Sequence, residues 1–145
     1  MKRFWQLVSK QDLVFVSLIF VAVIVLSIFE SANKIKVTFA EDSVTAEAPK
    51  YSLNIPYDMV ARAELVDMPD RGEVIEGMDD LASRTGHWEN ETWGEYYVCA
   101  DLDASTCIVV YLDDGRVFVF SRKDNEETAQ VFETFQTYLE KGESQ

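Results

Sequence analysis

A chain of 145 residues carrying 26 acidic and 13 basic side chains, net charge −13, holds one core-forming domain once its apolar N-terminal segment is set aside. So acidic a surface repels nucleic acid and anionic headgroups, which excludes DNA- and RNA-binding roles. Aromatic residues at 12% and abundant, patterned β-branched residues exclude a disordered chain.

Residues 13–29, LVFVSLIFVAVIVLSIF, open on Leu13, end on Phe29 and contain no charge, Pro or Gly. As a helix the run is about 25 Å long, at the short end of what a ~30 Å hydrocarbon core requires. Ala32 extends it, Phe4 and Trp5 precede it at interface distance, and apolar residues occupy every face. This predicts a transmembrane helix over 13–32 after a short cytoplasmic N-terminus, 1–12. A cleaved signal fits less well, because Glu30 occupies the −3 position for cleavage after Ala32. Lys2, Arg3 and Lys10 precede the run, whereas Glu30 follows it before Lys34 and Lys36. The positive-inside rule then places the N-terminus inside and the following domain, 33–142, outside, with 143–145 as a tail.

In that domain KIKVTFA alternates, with Ile35, Val37 and Phe39 on one face, as a half-buried strand does. Glu41-Asp42-Ser43 turns the chain into a return strand over 44–48. Residues 51–55, YSLNI, form a third strand between Pro49 and Pro56. A fourth follows over 60–68. Residues 69–86, PDRGEVIEGMDDLASRTG, lack a period and read as a long polar connection. Strands are then expected over 87–90, 93–102, 106–112 and 116–121, with Asp113-Asp114-Gly115 as a hairpin turn. Asp124 to Glu127 is a capping box. Ala129, Val131, Phe132, Phe135, Tyr138 and Leu139 then recur at helical spacing, and Gly142 is a helix stop. Successive short strands closed by one helix predict an antiparallel barrel or sandwich, with Phe132 and Phe135 as its plugs.

The two cysteines, Cys99 and Cys107, lack the C-x-x-C spacing of redox or zinc sites. Flanking the turn at 101–105 of an expected hairpin, they leave two readings open: a cross-strand disulfide, or two small buried hydrophobes. Trp88, Trp93 and Tyr96, with Tyr97 and neighbouring Asn90, Glu89, Glu91 and Glu95, form either a stacking platform for a sugar or peptide or a packing cluster of the core. Asp67, Asp70, Glu73, Glu76, Asp79 and Asp80 lack the order of an EF-hand loop and read as a solvated acidic face rather than a Ca²⁺ site. The single histidine, His87, has no companion ligand. No nucleophile, metal or nucleotide motif is present, so no catalytic, metal or cofactor residue is assigned and an enzyme is not expected.

The apolar N-terminal segment, KIKVTFA, YSLNIPYDMVARAELVD, Gly86-His87-Trp88, Trp93-Gly94-Glu95-Tyr96-Tyr97 and the closing DDGRVFVFSRKDNEETAQVFETFQTYL together resemble the bacterial PH-like domain families. The resemblance implies a mainly β fold, a bent seven-stranded antiparallel sheet capped by a C-terminal α-helix beside a transmembrane helix. It carries no common activity, and the acidic Glu41-Asp42-Ser43 turn argues against phosphoinositide binding. The expectation is a single-pass protein of a bacterial cytoplasmic membrane whose outer domain binds another protein, a membrane neighbour included. The sheet around Val117, Val119 and 108–111 is the expected contact region. The alternative is an envelope sensor of a sugar or peptide working through the aromatic platform.

Overall fold

The computed structural model of the protein describes residues 10–32, 35–79 and 82–143. The chain divides into two units, Met1–Ala32 and Asn33–Gln145. The first contains helix α1, Lys10–Ala32. Its apolar side chains from Leu13 to Leu26 are exposed. The expected membrane span is corrected here: among the described residues no helix is long and apolar enough to cross a membrane. The uncharged run is only about 25 Å long, against ~30 Å of hydrocarbon, and Lys10, Asp12 and Glu30 bound it. The single-pass arrangement and the single-pass membrane location fall with it. Lys2, Arg3, Phe4, Trp5, Lys34 and Asp80 lie outside the described residues.

The second unit is mainly β with a C-terminal helix. Its first strands, β1 (Lys36–Phe39), β2 (Ser43–Ala48) and β3 (Tyr51–Pro56), form an antiparallel sheet in sequence order. Period-two alternation turns Val44, Ala46, Leu53 and Ile55 inward, and all four are buried. A 3₁₀ turn, Tyr57–Met59, leads on to β4 (Val60–Asp67). The remaining strands are β5 (Glu73–Asp79), β6 (Ser83–Asn90), β7 (Gly94–Asp101), β8 (Thr106–Leu112) and β9 (Val117–Phe120). They form a six-stranded sheet in the order β4-β8-β9-β7-β6-β5.

That order departs from the antiparallel sheet that the PH-like resemblance implied. Strand β9 lies between β8, its antiparallel hairpin partner, and β7, to which it runs parallel. The Ser121 hydroxyl holds the end of the parallel pair, accepting from Asp101 N at 2.9 Å and donating to Asp101 O at 3.1 Å. Residues 69–86, expected as a connection, instead contain β5 and the start of β6. Strand β5 escapes a period-based reading because every one of its residues is exposed.

Both faces of β7, β8 and β9 are buried. One face carries Cys99, Ile108, Val110, Leu112, Phe118 and Phe120 against the small sheet and helix α2, Asn125–Glu143. The other gathers Tyr96, Val98, Ala100, Cys107, Val109, Val117 and Val119 with Trp88 of β6. The link between Asp67 and Glu73 explains what covers this second face. Six flat strands would put β4 and β5 about 24 Å apart, whereas so short a link spans roughly 20 Å when fully extended. The sheet must therefore curl, and the link crosses its concave face. Met68 N donates to Ser105 O at 2.8 Å, and the Tyr96 hydroxyl donates to Arg71 O at 2.6 Å.

Helix α2 starts as its sequence dictates. Asp124 caps it, its carboxylate accepting from Glu127 N at 2.8 Å. Glu127 pairs with Arg122 and Lys123 at 3.1 and 3.2 Å rather than completing the capping box. The helix runs through Gly142. Phe135 is fully buried against Phe39, Tyr57 and Phe120, while Phe132 is only half-buried.

Candidate functional site

The expected aromatic platform does not form. Trp88 and Tyr96 are cross-strand partners, 2% and 1% exposed, inside the curled sheet. Trp88 donates its indole N–H to Thr85 O at 3.0 Å, and burial pushes the Tyr96 hydroxyl's pKa up although nearby Arg84 opposes this. Trp93, in the β6–β7 turn, packs edge-on against Tyr96 with ring centroids 5.1 Å apart. Of the three proposed platform rings, only Trp93 has part of its surface outside the core.

The cysteines are free and buried. They do not sit on hairpin partners, because β9 separates β7 from β8. Cys99 joins the cluster between the sheets, and Cys107 joins the cluster on the concave face. Burial pushes each thiol up to about 12. The geometry thus fits two small buried hydrophobes and corrects the disulfide reading.

His87 stacks on Tyr97 at 4.6 Å and contacts Glu95 at 3.1 Å. Asp79 engages Arg71 and, at 3.6 Å, the buried Arg84. No set of three His, Cys, Asp or Glu residues among the described residues is arranged to hold a metal ion. Of the expected contact region, Val117, Val119 and Ile108 to Val110 are buried in the inner strands β8 and β9, and only Tyr111, half-buried beneath Arg62, reaches the surface.

An exposed backbone edge lies elsewhere. Strand β5 is, with β4, an edge of the six-stranded sheet and among the described residues pairs only with β6. It displays Val74, Ile75 and Met78 at 51%, 48% and 48% exposure. Val74 lies opposite buried Trp88, so its side chain belongs to the concave side. Glu73 lies opposite Glu89, and Glu76 opposite His87, on the other side. A β-bulge between Val74 and Glu76 turns Ile75 out of register. Next to the start of β5 is a cleft of about 690 Å³ lined by Asp70, Gly72, Glu73, Glu89, Asn90, Glu91 and Thr92. Sequence reading passes over this edge because Glu, Gly and Asp interrupt its apolar residues.

No family model matches the chain, and neither the curated proteins nor the solved structures give a match.

Proposed function

We propose that the second unit is a protein-binding module that accepts an extended segment of another protein as an added strand along β5. The observation that carries this reading is an edge strand exposed at every residue, with Val74, Ile75 and Met78 among them. An edge offers a row of backbone donors and acceptors that an extended chain can satisfy, while alternate side chains confer selectivity. Strand β5 has neither the Lys nor the Pro that commonly blocks such edges. Burial of Trp88 and Tyr96 removes support for the aromatic sensor.

A photo-crosslinking side chain in place of Ile75 in the full chain tests the reading. The expected result is a discrete adduct in cells that is lost when Val74→Lys is added. The same group in place of Glu140, exposed on α2, should give no such adduct. Equal adducts from both positions, or none from position 75, would overturn the proposal.

A further inference from the structure

Resting on the β5 reading, we infer that the added strand is basic: an extended segment with lysine or arginine on one face and apolar side chains on the other. Strand pairing sorts β5 into two sides. Val74 and Asp79 lie on the concave side, opposite Trp88 and Arg84, while Glu73, Glu76 and Met78 lie on the other side, opposite Glu89, His87 and Thr85. An incoming strand presents alternate residues to the same two sides. Apolar residues would meet Val74, and the intervening residues would meet the glutamates.

On that carboxylate side Glu95 contacts His87 at 3.1 Å, and the remaining glutamates lack a cationic partner among the described residues. Glu73 lies directly opposite Glu89, and Glu89 opposite Glu95, so three like charges run across β5, β6 and β7. Like charges in directly opposed positions are destabilising. Among the described residues, no lysine or arginine forms an ion pair with Glu73, Glu76 or Glu89. Arg71 and Arg84 pair with Asp79 instead. The Asp70, Glu91 and Glu89 carboxylates of the adjoining cleft continue the negative surface past the end of β5. A cationic segment relieves this repulsion. A second copy of the chain does the opposite, because β5 against β5 would bring Glu73 and Glu76 of both copies together on one side. Acidic residues on this edge thus oppose self-pairing while selecting a basic partner.

Three eight-residue peptides test this with the full chain: alternating valine and lysine, valine and threonine, and valine and glutamate. Binding is followed through the backbone amide signals of 73–79. The valine–lysine peptide should bind about tenfold more tightly than the valine–threonine peptide. The valine–glutamate peptide should not bind, and added salt should weaken the lysine complex. E73Q/E76Q should remove most of the lysine preference, whereas E133Q/E140Q on α2, with the same change in net charge, should leave it. Equal binding of the lysine and threonine peptides would overturn the basic partner and leave strand addition standing. No β5 response to any peptide would overturn both. Concentration-dependent β5 signals from the chain alone would make a second copy the occupant and overturn the inference.

Discussion

Gly77 and Gly86 face each other across β5 and β6, and their backbones leave no room for a side chain between them. A Cβ on Gly86 would lie 2.3 Å from Glu76 O and 2.6 Å from the Gly77 Cα. Gly86 also has φ +107°, a conformation that L side chains rarely adopt. The glycines let β5 approach β6 at the bend and so hold the exposed edge in place.

Gly86→Ala is expected to cost about 1–3 kcal/mol and to detach β5 before the rest of the sheet. Hydrogen exchange should show protection lost along 73–79 while the amides of β8 and β9 keep theirs. Uniform loss across both sheets would mean that the glycine pair supports the whole fold rather than its edge.

The Tyr96 hydroxyl ties the crossing link to the concave face through Arg71 O. Tyr96→Phe removes that bond and keeps the ring, so a loss of about 1 kcal/mol is expected in urea unfolding. Faster exchange should be confined to the neighbourhood of 70–73.

Phe135 joins α2 to both sheets. Phe135→Ala should cost about 3–5 kcal/mol, as truncation of a buried aromatic does. Phe132→Ala, at a half-buried position, should cost clearly less. Thermal unfolding of the two variants under one buffer condition compares them directly.

Cys99 and Cys107 should resist alkylation at pH 8 in the folded chain and react fully in denaturant. Mass spectrometry should find no disulfide after air oxidation of the folded protein. Burial raises both folded-state thiol pKa values from 9.0 to about 12. The unfolded chain therefore releases these protons first as pH rises. Their contribution to stability is intact below pH 9 and is lost progressively between pH 9 and 12. Tyr51 and Tyr57, raised by burial from 10.0 to about 12, steepen the loss above pH 10. Urea midpoints across pH 8–11 should fall in that order, and a flat profile would contradict the burial of these groups.

Much of the local structure was legible because short-range chemistry specifies it. Alternation in KIKVTFA and YSLNI set the inward faces of β1 and β3. Asp113-Asp114-Gly115 made the β8–β9 hairpin, and Asp124 with the Phe135 stripe set the start and buried face of α2. The candidate edge was not legible. Glu73 to Asp79 becomes a strand because β6 supplies its hydrogen bonds, and its own side chains carry no signal of burial.

The amino-acid sequence by itself determined that this is an acidic chain with short amphipathic strands, a tight β8–β9 turn and a capped terminal helix. Those features depend on neighbours a few residues apart. Tertiary structure alone decided that β9 inserts beside β7, so that Cys99 and Cys107 occupy opposite faces, and that Trp88 and Tyr96 lie inside the curl. It also decided that β5 is left as an edge. These outcomes depend on which distant strands share hydrogen bonds and on a link short enough to curl the sheet, neither of which is encoded in any local period.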